Sequence, residues 1–132
     1  MQEEVSSKGT MPALIALCFE ARTRTHMLHL QTKSFSTHKA LNEYYDEIVG
    51  IADSLAEAYQ GREGIMTAYP KITLSATDPI KLIEQVRSWV DKNRKAICSY
   101  SEIQNIIDDL QDLNNSTLYK LCLLYTSDAA DE

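Results

Sequence analysis

The helical periodicity of this chain stops at Arg62 and does not resume until Asp78. The sixteen intervening residues carry Gly64, the pair Tyr69-Pro70 and the β-prone run Ile72-Thr73-Leu74. Connections inside helical bundles are usually shorter. Extended at about 3.3 Å per residue, this one reaches about 50 Å, enough to run the ~37 Å length of the helix before it. It therefore reads as a crossover passing along a bundle, where an up-and-down bundle would have short turns throughout. The expected fold is all-α: a four-helix bundle of two antiparallel hairpins joined by a long B–C crossover.

Helix A is expected over residues 11–33, with Thr10 as N-cap, Pro12 in the first turn and a stripe of Leu14, Cys18, Ala21, Thr25, Leu28 and Thr32. Helix B is expected over 36–60, stopped by Gly61, with a stripe of His38, Leu41, Tyr45, Ile48, Ala52, Leu55 and Tyr59. Two or three residues separate A from B, which makes them a hairpin. Asp78-Pro79 opens helix C, whose inward residues are Ile80, Ile83, Val86, Trp89, Val90 and Ile97. After a break at Cys98-Ser99-Tyr100, Ser101 is the expected cap of helix D, with Ile103, Ile106, Ile107, Leu110, Leu113 and Leu118 on its apolar face.

With 132 residues, 44% of them hydrophobic, the chain can bury one real core, and its four Gly and three Pro favour long helices. No apolar run approaches the ~20 residues of a membrane span. The polar start lacks the order of a signal peptide, and Cys18, Cys98 and Cys122 form no disulfide framework, so a cytoplasmic location is expected. Residues 122–132 look like the translated end of a transposase-based sequencing adapter; removing their three acidic charges from −6 leaves −3. The expected organisation is thus a flexible N-terminus over 1–9, a bundle over 10–121 and a foreign tail over 122–132. The mild acidity gives no footprint for specific nucleic-acid binding.

Polar chemistry concentrates between His29 and Glu57. His29 ends helix A, His38 sits one turn into helix B, and Asn42 and Asp46 follow at successive turns. Asp53 and Glu57, spaced i, i+4, project from one face. Imidazole nitrogens with carboxylate oxygens suit Fe(II), Mn(II) or Zn(II). His38 and Asp53 lie about 22 Å apart along one helix, so one chain cannot bring both to one metal, whereas an antiparallel second chain can. Glu43 points to another face, and Glu20 is a weaker candidate because no Glu-x-x-His motif accompanies it. The tyrosines Tyr44, Tyr45, Tyr59, Tyr100 and Tyr119 read chiefly as core and interface aromatics.

The segments His29-Leu-Gln-Thr-Lys33, His38-Lys-Ala-Leu-Asn42 and Asp53-Ser-Leu-Ala-Glu57 together resemble the ferritin-like mini-ferritins that protect DNA in starvation, the Dps family. The wording Thr32-Lys33-Ser34-Phe35 through His38-Lys39-Ala40-Leu41 also resembles a group of tailed-phage proteins. The first resemblance implies metal ligation by His29, His38 and Asn42 of one subunit with Asp53 and Glu57 of its two-fold mate. It further implies iron as the metal, ferroxidase activity, and a homo-oligomer of at least an antiparallel dimer, up to a closed shell. A phage origin would place the protein in the cytoplasm of a bacterial host.

Three departures bear on that implication. Asn42 stands where the family has an aspartate, which removes one anionic ligand. Lys39 replaces an acidic neighbour, and the turn between the histidines is about three residues shorter, with Leu30 in place of the usual Trp. The competing expectation is a metal-independent oligomeric or interaction protein, its histidines hydrogen-bonded and its carboxylates paired with lysines of a partner.

Overall fold

The structure, a computed structural model, describes residue 5 and residues 7–131, with side chains described as far as Leu123. The remaining residues of the expected N-terminal segment, and the last residue of the expected tail, lie outside the described residues.

Four helices account for most of the chain: α1 (Met11–Gln31), α2 (Phe35–Glu63), α3 (Pro79–Ile97) and α4 (Ser101–Asp131). Among the described residues there is no strand. α1 starts where a side-chain oxygen meets the orphan donors of a first turn: Thr10 accepts from the Ala13 N–H, and Pro12 follows. Ser34 caps α2 through the Thr37 N–H and Asp78 caps α3 through the Lys81 N–H. α2 does not stop at Gly61. It continues to Glu63 and ends on Gly64, whose φ of 88° suits only a residue without Cβ and whose N–H reaches the Gln60 carbonyl. Nor does Ser101 cap α4. It is the first helical residue, and the Tyr100 carbonyl accepts from the N–H groups of Ile103 and Gln104.

Side-chain pairs fix the direction of every helix. His29 meets His38 across the first hairpin, and Arg94 meets Gln104 and Asp108 across the second. Glu43 pairs with Lys120 near one end of α2, and Arg62 with Glu102 at the other, so α2 and α4 run antiparallel. Gly9 abuts Asn93 while Arg24 bonds the Ala76 carbonyl, so α1 and α3 are antiparallel too. Around the bundle the neighbours are α1–α2, α2–α4, α4–α3 and α3–α1; the α2–α3 and α1–α4 pairs lie on the diagonals. The end of α2 therefore lies at the opposite end of the bundle from the start of α3, and the connection between them must traverse it. That is the long-crossover four-helix bundle expected from the sequence.

The crossover is extended and held at its apolar residues. Ile72 and Leu74 are buried between exposed Lys71, Thr73 and Ser75, so the period-two alternation acts as two plugs in the bundle flank. Gln85 accepts from the Ala76 N–H and donates to Ser75, and Arg24 holds the Ala76 carbonyl. No helix forms here because no apolar stripe of period 3.6 exists to be buried.

The expected stripes of α1, α3 and α4 are buried almost throughout. On α2 the inward tyrosine is Tyr44, fully buried, while Tyr45 and His38 are part-buried at the border of the core. Tyr44 is accepted inside because its hydroxyl donates to Asn114 Oδ1 at 2.7 Å. Asn114 in turn donates to Gln111, and Gln111 donates to Asp91 and to the Arg87 carbonyl. One buried polar chain thus ties α2, α4 and α3 together.

Two outcomes follow from this packing. Leu74→Ala should cost about 2–5 kcal/mol by urea unfolding, whereas Thr73→Ala next to it should stay within ~0.5 kcal/mol. Burial pushes the Cys18 thiol from its ordinary value of 9.0 up to about 12. Between those values the unfolded chain binds fewer protons than the folded one. Stability should be unaffected by this group below pH 9 and should fall above it by about 1.4 kcal/mol per pH unit, a fall that Cys18→Ala removes.

Candidate functional site

The hairpin between α1 and α2 brings His29 and His38 face to face. Their rings stack at 3.5 Å between centroids, inclined by 21°. His29 Nδ1 lies 2.6 Å from the His38 carbonyl oxygen, and His38 Nδ1 lies 2.7 Å from that of His29. A carbonyl only accepts, so each Nδ1 carries a proton, and in the neutral tautomer that this fixes the lone pair is on Nε2. A backbone carbonyl on one ring nitrogen is also the partner that commonly orients a metal-ligating histidine. The short turn between the helices makes this reciprocity possible, since the carbonyl of one histidine falls within reach of the ring of the other. His29 is 7% exposed and His38 more so.

The stack limits what the pair can do unaided. Planes inclined by 21° at this separation meet far beyond the ~2 Å reach of an imidazole–metal bond. Both lone pairs lie in those planes, so one ion cannot bind both rings until one of them turns.

Three further aromatic residues, His26, Tyr45 and Phe35, complete the cluster. His26 stacks on Tyr45 at 4.1 Å, and the Tyr45 ring meets His29 edge-on at 5.3 Å. The Tyr45 hydroxyl donates to Asn42 Oδ1 at 2.6 Å, and Asn42 Nδ2 donates to Asp46 Oδ2 at 3.1 Å. Exposed Phe35 flanks His38 from the start of α2. His26 lies outside the expected site residues, although the spacing His26-Met-Leu-His29 puts both imidazoles on adjacent turns of one face. Tyr45, expected in the core, instead stands at its border and is bonded to Asn42.

Asp53 and Glu57 are exposed and distant along α2 from the histidines, as the helix rise requires. His29, His38 and Asn42 are thus brought together within one chain, and Asp53 and Glu57 are not brought to them. Among the described residues no three His, Cys, Asp or Glu side chains of one chain converge as a metal cage. Glu43, on another face of α2, pairs with Lys120 at 3.1 Å.

The fold and this face define a helical bundle with an imidazole pair closing its first hairpin. The sequence matches the Family of unknown function (DUF5856) over residues 29–121, and the chain belongs to that family. The matched span opens on His29 and contains every candidate residue from His29 to Glu57. A protein of Enterobacteria phage T4, described as "Uncharacterized 14.6 kDa protein in mobD-ri intergenic region", is 29% identical over 111 residues. That alignment takes in 83% of this chain and 85% of the phage protein. No solved structure matches the chain. These relationships bear on the likeness to tailed-phage proteins; none of them is to a mini-ferritin.

The reciprocal imidazole bonds have an energetic signature. His29→Ala and His38→Ala should each cost about 0.5–1.5 kcal/mol, the net worth of the one imidazole–carbonyl hydrogen bond that each removes. The double variant should cost less than the two together, since both single variants lose the one ring stack that the two side chains share. Urea unfolding of the four proteins of that cycle measures it.

Proposed function

We propose that two copies of this chain pair antiparallel through the outer face of α2 and bind ferrous iron between them, as the resemblance to the mini-ferritins implies. The observation that carries the reading is one of register. His38, Asn42, Asp46, Val49, Asp53 and Glu57 fall within an arc of about 100° on α2. The midpoint between His38 and Glu57 is also the midpoint between Asn42 and Asp53, and both fall between Glu47 and Ile48. A single two-fold axis at that level sets His38 against the partner's Glu57 and Asn42 against the partner's Asp53 at the same time. Exposed Gly50 stands beside the axis, and a Cβ there would meet nothing within 4 Å.

In this arrangement His38, the more exposed ring, turns its Nε2 toward the partner while His29 stays with the hairpin. The carboxylates of Asp53 and Glu57 supply the charge that an Fe(II) substrate requires. An electron passes from Fe(II) to dioxygen or peroxide, and the ferric product is stored or released. Among the described residues no helix is long and apolar enough to cross a membrane.

One set of observations favours a second reading, a metal-free oligomeric or interaction bundle. Both Nδ1 atoms are bonded within the hairpin, the rings are stacked, and Asn42 is engaged by Tyr45 and Asp46.

Aerobic Fe(II) oxidation, followed optically, separates the two. The expected result is oxidation faster than buffer alone, lost in His38→Ala and in Asp53→Ala/Glu57→Ala, and partly restored when those two inactive proteins are mixed and allowed to exchange subunits. Restoration requires each site to draw on two chains. A rate equal to buffer for the unaltered protein would leave the metal-free bundle.

A further inference from the structure

We propose that Asp46, not Asn42, is the anionic metal ligand contributed by the histidine-bearing half of this site. The proposal rests on the inter-subunit reading above and specifies its chemistry.

Asn42 is the obvious candidate by position, but its amide is already committed on both sides. A carboxylate only accepts, so the Asn42 NH2 must face Asp46, which leaves Oδ1 toward the Tyr45 hydroxyl. That oxygen is neutral, and a hydroxyl proton sits against it at 2.6 Å. Tyr45 is itself fixed by its stack on His26 and its edge contact with His29. Asn42 is therefore well placed to hold something else and poorly placed to ligate.

What it holds is Asp46. Helical side chains lean toward the N-terminus, so the Asp46 carboxylate overlies the turn that bears Asn42. The 3.1 Å bond from Asn42 Nδ2 keeps it there through Oδ2. The axis between Glu47 and Ile48 sets Asp46 itself against the partner's Val49, and the lean of each side chain toward its own N-terminus carries the Asp46 carboxylate and the partner's Asp53 toward one another from levels about one turn apart. Asp46 is exposed and in no ion pair among the described residues, so Oδ1 is open to a cation. A carboxylate from Asp46, with Asp53 and Glu57 across the axis, restores a third negative oxygen donor of the kind hard cations prefer. Asn42 and Tyr45 are positioning residues in this scheme. Lys39, exposed one turn earlier on α2, is the nearby charge opposing cation entry.

The test is titration of Co(II) into the full-length protein without oxygen, by calorimetry and by the visible absorption of the ion. Asp46→Asn should weaken binding more than a hundredfold and alter the Co(II) spectrum, while Asp46→Glu retains binding. Asn42→Ala should weaken it by about 10–100-fold, the range for a residue that orients a ligand, and leave the spectral shape unchanged. Thermal unfolding should be the same for both Asp46 variants. If Asp46→Asn binds like the unaltered protein while Asp53→Ala/Glu57→Ala does not, Asp46 is no ligand and the inter-subunit site stands without it. If the unaltered protein takes up no Co(II), this proposal and the metal reading fall together.

Discussion

The hydroxyl of Tyr44, buried against Asn114, fixes how α2 is rotated in the bundle. Tyr44 can be inside only while Asn114 Oδ1 accepts its hydrogen bond, because an unpaired hydroxyl in that position would cost about 1–3 kcal/mol. With Tyr44 inward, Leu41, Ile48 and Leu55 follow it into the core. His38, Asn42, Asp46, Val49, Asp53 and Glu57 are left along the outer side. A rotation of one residue, about 100°, would bury Tyr45 and dissolve that outer row. The chemistry available to this chain is thus decided by a bond that takes no part in it.

Much of the architecture could be read from the residues themselves. The loss of period between Arg62 and Asp78 implied a crossover, and the helices do pack with α2 and α3 on a diagonal. Thr10, Pro12, Asp78 and Pro79 act at their helix ends as capping chemistry requires. What escaped were choices between near-equals. Gly61 and Gly64 are both glycines close to a helix end, and only the backbone turn at Gly64 decides which one terminates it. Tyr44 and Tyr45 are adjacent and identical, and a period of 3.6 cannot say which finds a buried acceptor 70 residues away.

The candidate site was legible as a list and not as a geometry. The separation of His38 from Asp53 followed from helix rise alone. The stacking of His29 on His38 did not, because it depends on a turn short enough to bring each carbonyl under the other's ring. The same pair can lock a hairpin or present lone pairs, and it does the first in the isolated chain. Asn42 shows the same tension: its place in the sequence suggests a ligand, while its hydrogen bonds make it a brace.

The crossover also divides the molecule. On one side of it lies the α1–α2 hairpin, closed by stacked imidazoles; on the other lies the α3–α4 hairpin, closed by Arg94 on Gln104 and Asp108. Each hairpin has its own internal fastening, and the two meet through α1 on α3 and α2 on α4. The covalent link between them, around the exposed residues 67–71, lies against the core only farther along at Ile72 and Leu74. A break in the backbone before Ile72 would leave two complementary fragments, each carrying the half of the core that only the other covers. The bundle is in this sense already a heterodimer of hairpins, written as one chain.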